Sequence, residues 1–191
     1  MNKILGHLKT INHHKWLVFK LSIKAGIPIQ GILHDLSKYS PTEFFESIKY
    51  YTDGKKSPLG TEKDKIGYAP AWLHHKGRNK HHHEYWYDYG AIIKSAPMPF
   101  KYFVEMVCDN IAACQNYQKD KFTLKSPLEY YNRKTSTMPI NEDILACLKE
   151  VYTDLPKKGI NKTLKKDNLR KIYDRFVGDK YENNKNKTIS K

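Results

Sequence analysis

Apolar residues recur at steps of three and four positions through most of the chain, which is the spacing of one face of an α-helix. Between residues 4 and 21, isoleucine, leucine and valine follow this spacing, and Gly26 supplies a residue type that commonly ends helices. The pattern therefore predicts a first helix that runs to about Ala25.

The second predicted helix begins at Pro28, because proline is favoured at the first position of a helix. We expect this helix to contain His34 and Asp35 within its length. Its face toward the core is predicted to consist of Ile29, Ile32, Leu33 and Leu36.

Capping boxes mark two later helix starts, since a serine and a glutamate three residues apart can each bond the other's backbone N–H. Residues 40–43 predict a helix to about Tyr51, and residues 126–129 predict another start. Asn141 is expected to cap a helix through Val151. The other predicted elements are a loop at 52–63 and helices at about 68–75, 100–117 and 161–176.

The chain shows no long alternation of apolar and polar residues and no internal repeat, so we predict an all-α helical bundle in a single domain. A length of 191 residues is enough for one domain with its own core. The bundle is expected to span residues 1–156. A basic C-terminal helix at 157–180 would pack on it or extend it, and residues 181–191 are expected to form a disordered tail.

The positive charge is concentrated near the C-terminus. The net charge is +14, and residues 157–191 contain 12 basic and 4 acidic residues, a net charge of +8. Such a segment attracts nucleic acid, so nucleic-acid binding through residues 157–191 is one function that the sequence leaves open. A solvated basic surface without a partner is the other explanation.

The cysteines and the hydropathy bear on location. The chain has 3 cysteines, an odd number without CxxC spacing, which predicts a reducing compartment. There is no apolar run long enough for a membrane span, and the N-terminal residues do not resemble a signal peptide. We therefore expect a cytoplasmic protein with no membrane partner.

Two short runs, His34–Lys38 and His74–Glu84, contain six of the 9 histidines. An adjacent His-Asp pair offers an imidazole nitrogen and a carboxylate, a mixed set that suits a divalent metal. The interleaved lysine and arginine residues suit an anion such as phosphate. The combination favours metal-assisted phosphoester chemistry.

Two further ligand candidates lie on predicted helices. Asp109 is surrounded by apolar residues, and a buried carboxylate is costly unless it binds a cation or pairs with a buried Arg or His. His14 shares a helix face with apolar residues, whereas His13 lies nearer its edge. Both interpretations of His14, metal ligand and ordinary core residue, are open from its position alone.

The second run has more histidines than one ion needs. Either His74 or His75 is a candidate ligand, and the other would hold it by hydrogen bonding. His81 and His82 could complete a second metal site, and His83 is the expected bystander. An incidental histidine-rich surface loop is the alternative. The candidates for contact with a substrate phosphate are Lys38, Lys76, Arg78 and Asn79, each of which could instead be an ordinary exposed side chain.

His14, the His34-Asp35 pair and Asp109, in this order, resemble the metal ligands of the HD-domain metal-dependent phosphohydrolase superfamily. The run from His75 to Glu84 is similar to the second histidine set of its two-metal HD-GYP branch, although no Gly-Tyr-Pro follows. Residues 34–44, 71–89 and 105–109 more closely resemble a bacterial and phage family of unknown function within or near this superfamily, a likeness that covers about residues 1–135.

The resemblance implies a first metal at His14, His34, Asp35 and Asp109, and a second at His75, His81 and His82. The cofactor would be one or two divalent ions of Mn, Mg, Fe, Ni or Zn. The hypothesis is hydrolysis of a nucleotide or another phosphate ester, with Asp35, Lys38 and His82 as catalytic residues. The alternatives are a catalytically silent protein of this fold that binds nucleic acid, and a di-iron oxygenase.

Overall fold

Ten α-helices and four short 3-10 helices form the secondary structure of the residues that the computed structural model describes, which are 2–178 and 180. Within those residues there is no β-strand, only an isolated bridge between Tyr87 and Ser95. The predicted all-α fold is confirmed. The helices are α1 Lys3–Lys24, α2 Pro28–Leu33, α3 Pro41–Lys49, α4 Pro58–Ile66, α5 Pro70–Arg78, α6 Phe100–Gln118, α7 Ser126–Lys134, α8 Glu142–Lys158, α9 Ile160–Thr163 and α10 Lys166–Phe176.

Several predicted boundaries are confirmed. Helix α1 ends before Ala25 and is followed by Gly26 in the left-handed conformation, at φ 74°. The Asn141 side chain accepts hydrogen bonds from the first backbone N–H groups of α8. Ser40 caps α3, because its hydroxyl accepts from the Glu43 backbone N–H at 3.4 Å.

Other boundary predictions were wrong. The predicted loop at 52–63 contains the start of α4 at Pro58, and the predicted C-terminal helix is divided between α9 and α10. The second capping box does not form, since Ser126 lies inside the first turn of α7 and donates to Gln118 at 2.6 Å. The predicted tail at 181–191 lies outside the described residues.

The largest correction concerns residues 28–39. Helix α2 ends at Leu33, so His34 and Asp35 are not helical, and Asp35 adopts the left-handed conformation at φ 53°. A short 3-10 helix, Leu36–Tyr39, follows. The four apolar residues predicted to face the core are between 50% and 70% exposed: Ile29, Ile32, Leu33 and Leu36.

The face of α2 that packs against α1 is the one that carries Gly31. A Cβ added to this residue would lie 2.6 Å from the Ser22 Cβ, so only glycine permits the close approach of the two helices. Because α2 contacts α1 through Gly31, which has no side chain, the apolar side chains of α2 are left exposed. Periodicity predicted the helix but assigned its buried face wrongly.

Helix α6 lies at the centre of the core. Residues along it are fully buried, among them Phe103, Val107 and Ile111, and side chains of α1, α8 and α10 belong to the same cluster. Tyr173 of α10 donates to the backbone oxygen of Met98 at 2.8 Å. No helix among the described residues is long and apolar enough to cross a membrane.

Candidate metal centre

The chain reverses direction at the His34-Asp35 pair. Lys15 of α1 reaches across and donates to the backbone oxygens of Ile32 and His34, at 2.5 and 2.7 Å. These bonds satisfy carbonyl groups at the end of α2, which would otherwise lack partners. The left-handed backbone of Asp35 costs about 1–3 kcal/mol, a strain that recurs at functional sites.

The first cluster consists of the four residues that the family resemblance implies as ligands of the first metal. One ligand atom from each of His14, His34, Asp35 and Asp109 lies within 4.8 Å of the others. His14 Nε2 is 3.0 Å from an Asp109 oxygen, and His34 Nε2 is 3.1 Å from Asp35 Oδ2. The structure therefore brings together residues from α1, the bend after α2, and α6.

The second cluster consists of Asp35, His75, His81 and His82, again within 4.8 Å of one another. His75 Nε2 lies 3.2 Å from Asp35 Oδ1, and His81 Nε2 lies 3.4 Å from the same oxygen. Asp35 thus belongs to both clusters, with Oδ2 directed to His34 and Oδ1 directed to His75 and His81.

The facing atoms of these clusters are buried and lack hydrogen-bond partners among the described residues. They are Asp35 Oδ1 and the Nε2 atoms of His14, His34, His81 and His82, whereas Asp35 Oδ2 forms an ion pair with Lys38. They lie near one another, but their orientation does not satisfy hydrogen-bond geometry. Each such buried group costs about 1–3 kcal/mol. A cation would satisfy imidazole and carboxylate lone pairs at once, so the donor set fits divalent metal.

Two glutamates hold the histidine rings from behind. A single oxygen of Glu105 lies 3.0 Å from His34 Nδ1 and 3.1 Å from His81 Nδ1. Glu43 contacts His74 Nδ1 and His75 Nδ1, each at 2.7 Å. A carboxylate that accepts from Nδ1 fixes the ring and leaves Nε2 free to bind metal. His34, His81 and Glu105 also form a third close group, which these hydrogen bonds explain.

Sequence reasoning missed both glutamates. Glu105 precedes Asp109 by one helical turn, so the i, i+4 spacing places both carboxylates on one face of α6 and was the available signal. Glu43 was assigned to a capping box. Its backbone N–H does bond Ser40, but its carboxylate extends to His74 and His75 instead of the cap.

Opposite charges face one another in the clusters: burial lowers the pKa of His34, but the neighbouring carboxylates outweigh it and raise this pKa well above its usual value. Burial raises the pKa of Asp35, but the opposing charges of His34, Lys38 and His75 outweigh it and hold the pKa well below its usual range. Burial also raises the pKa of Glu105, yet hydrogen bonds from His34 and His81 lower it to about 2. Burial lowers the pKa of His82, with His81 and His75 adding to the effect. Ionised carboxylates and a neutral imidazole are the forms that bind metal.

The remaining histidines take the supporting positions. His13 is exposed and its Nδ1 lies 2.8 Å from Asn116 Oδ1, so His14 is the member of that pair in the cluster. Of the second pair, His75 belongs to a cluster and His74 does not, although both contact Glu43. His83 belongs to neither cluster and lies 3.3 Å from Glu84.

The predicted phosphate contacts divide into two groups. Lys38 lies in the centre, with Nζ 2.5 Å from Asp35 Oδ2. Arg78 instead donates to His74 Nε2 at 2.7 Å, and Asn79 donates to Ser37 at 2.8 Å. Neither of these nor Lys76 lines the cavity beside the clusters. Sequence reasoning missed the lysines that do line it: Lys56, Lys63 and Lys134.

A cavity of about 780 Å³ adjoins both clusters. Its lining includes His14 and Asp109 of the first cluster, Lys38, and His75, His81 and His82 of the second cluster. Ligand pockets commonly measure about 300–1,000 Å³, so this space suits a ligand the size of a nucleotide.

Comparison with known proteins identifies a family but no activity. Residues 3–154 match a family described as "Family of unknown function (DUF5662)". Neither a curated protein nor a solved structure matches the chain.

Proposed function

Because the chain belongs to the DUF5662 family, whose function is unknown, we propose its function from the site itself: a divalent-metal-dependent phosphohydrolase. The substrate class is a nucleotide or another phosphate ester. The observation that carries the proposal is the position of Asp35. Its Oδ2 faces His34 and its Oδ1 faces His75 and His81. The Nε2 atoms of His34 and His81 are buried without a hydrogen-bond partner among the described residues. The arrangement supports membership of the HD-domain superfamily, which we propose on the same grounds.

The first cluster would hold one divalent ion through His14, His34, Asp35 and Asp109, and the second cluster would hold another through Asp35, His75, His81 and His82. When bound, such ions polarise phosphoryl oxygens and lower the pKa of bound water. Histidine-rich sites favour Mn, Fe, Ni or Zn over Mg.

The protein's own residues would orient and neutralise the reacting groups. Lys38 holds Asp35 Oδ2 and also lines the cavity, so its ammonium can offset negative charge on a bound phosphate. Lys63 and Lys134 add positive charge along the cavity, whereas Lys56 is paired there with Asp64. The predicted role of His82 as proton donor to a leaving group would apply only where His82 does not bind a metal ion. We also propose a cytoplasmic location, on the odd number of cysteines.

The first test compares Asp35→Asn with Asp53→Asn in untagged protein. Both aspartates have φ 53°, and asparagine tolerates this conformation, so the pair separates loss of charge from backbone strain. We expect wild type and Asp53→Asn to contain one or two equivalents of divalent metal and to hydrolyse nucleotides. Asp35→Asn should lose both properties while remaining folded.

Metal content and hydrolysis that survive in Asp35→Asn would refute the proposal. A coloured iron protein that consumes oxygen would support the oxygenase alternative. Salt-dependent binding of nucleic acid without metal would support the non-catalytic alternative.

A further inference from the structure

The cavity extends past the metal clusters between α1 and α6. His14 contacts Asp109 at 3.0 Å and His13 contacts Asn116 at 2.8 Å, so the two helices run antiparallel. His7 precedes His14 by seven residues, and Asn116 follows Asp109 by seven. Seven residues are two turns, roughly 10 Å along a helix. Because the helices are antiparallel, His7 and Asn116 each lie about two turns from the first cluster toward the same end of the helix pair, and both line the cavity.

His7 is held rigidly but lacks a polar partner. Its ring centre lies 5.5 Å from those of Phe44 and Tyr51, which fix its position. Tyr51 can approach α1 because residue 6 is glycine: a Cβ there would lie 2.9 Å from the Tyr51 ring. The side chain of Tyr51 is held in turn by Thr10, 3.2 Å from its hydroxyl.

His7 is 5% exposed, and its Nδ1 has no hydrogen-bond partner among the described residues. Burial, reinforced by the positive charge of Lys38, lowers the pKa of His7 to about 4, so the ring is neutral at physiological pH. A neutral imidazole offers a hydrogen-bond donor and an acceptor but no charge.

Asn116 also lines the cavity and has a second unsatisfied polar atom. The residue is 7% exposed, and its Oδ1 is engaged by His13, which fixes the amide plane. Its Nδ2 is buried without a partner in the described part of the chain. An unsatisfied N–H donor and an unsatisfied imidazole nitrogen in one cavity are costly unless a ligand completes them.

We propose that His7 and Asn116 form a recognition subsite for the neutral heterocyclic ring of the substrate, a nucleobase, whose phosphate lies at the metal clusters. The identification of the attached phosphate rests on the proposed function. The subsite itself rests on the two unsatisfied groups, which match a ring edge that carries both a donor and an acceptor. It does not suit a second phosphate, since both residues are neutral, and the nearby cavity residue Lys56 is paired with Asp64.

The test uses nucleosides, which have no phosphate, as probes in calorimetric titrations. Wild type should bind at least one of adenosine, guanosine, cytidine and uridine in the millimolar range or tighter. Binding should survive in Asp35→Asn, because nucleosides do not need the metal clusters. This separates failure of the subsite from failure of the proposed hydrolase.

Two variants remove hydrogen-bonding groups of the subsite: one replaces both ring nitrogens of His7, and the other replaces the amide N–H donor of Asn116 with an oxygen. His7→Phe keeps a ring between Phe44 and Tyr51, and Asn116→Asp keeps the acceptor for His13 but removes the N–H donor. Each should weaken nucleoside binding about 3- to 10-fold, the value of one neutral hydrogen bond. Lys9→Ala, an exposed position on α1, is the matched control and should bind as wild type does.

A second measurement distinguishes recognition from a structural role. His7→Phe should raise the melting temperature, since it removes an unsatisfied buried nitrogen, while it lowers nucleoside affinity. If wild type hydrolyses nucleotides, the variant should lose kcat/KM on them but keep that on phenyl phosphate. No saturable nucleoside binding by wild type, or unchanged binding in both variants, would overturn the subsite.

Discussion

Helix α6 and the segment 28–39 each supply an acidic metal-ligand candidate, but they position it by different means. Asp109 lies on a long, regular helix whose neighbouring residues are buried, so the periodic pattern sets its direction. Asp35 lies at a left-handed residue after a short helix whose apolar side chains are exposed. The first position follows from local sequence, and the second depends on contacts with other segments, namely Gly31 against Ser22 and Lys15 at the bend.

The largest expected effect is the difference in free energy of unfolding between one alanine substitution in α6 and one in α2. Ile111→Ala in α6 removes a fully buried side chain and should lower the free energy of unfolding by about 2–5 kcal/mol. Ile32→Ala in α2, where the side chain is 56% exposed, should change it by no more than about 0.5 kcal/mol. Urea denaturation of metal-free protein measures both. Equal losses would show that α2 buries its apolar face in solution.

The next test concerns the two glutamates. Glu105→Gln weakens the support of one histidine in each cluster, whereas Glu43→Gln weakens only His75 among the cluster residues. Loss of such a support typically costs about 10- to 100-fold in metal affinity. Titration with Mn²⁺ should show both sites weakened in Glu105→Gln and one in Glu43→Gln. The exposed Glu142→Gln is the control, and a Glu105→Gln protein with wild-type affinity would contradict the assignment.

A smaller effect is expected at the bend. Lys15→Met keeps an unbranched chain of similar length but removes the bonds to the backbone oxygens of Ile32 and His34. We expect metal affinity to fall about 3- to 10-fold, since hydrogen bonds from a charged donor contribute about 1.5–3 kcal/mol and part of this supports the fold. Lys20→Met, exposed on the same helix, should match wild type in the same Mn²⁺ titration.

The smallest effect concerns the thiols of the core. Burial raises the pKa of Cys108 and Cys147 to about 12 and that of Cys114 to about 11. At pH 8 native protein should therefore contain almost no thiolate and should react slowly with iodoacetamide, with the rate rising as the pH is raised toward these values. Unfolding in urea should restore ordinary reactivity at pH 8. Rapid labelling of native protein would show that the core opens readily.

The sequence likewise predicted the regular helices correctly but not the bend at His34 and Asp35. The long helices and the positions of His14 and Asp109 on them follow from periodicity, which needs only local sequence. The His34-Asp35 pair is visible in the sequence. The bend that orients the pair could not be predicted, because a left-handed aspartate depends on tertiary contacts. Glu43 was missed because a local motif explained it already. Nothing in one sequence showed that Arg78 faces His74 and not the cavity.

The single oxygen of Glu105 that contacts both His34 and His81 has a consequence for how metal would load. In the proposed metal-bound protein, an ion at the first cluster would order His34, and the ordered ring would fix the glutamate that also orients His81. When a second ion bound, His81 would already be ordered, so binding of this ion would cost less conformational entropy. Uptake of the two ions should consequently be cooperative, with a Hill coefficient above one that falls to one in Glu105→Gln.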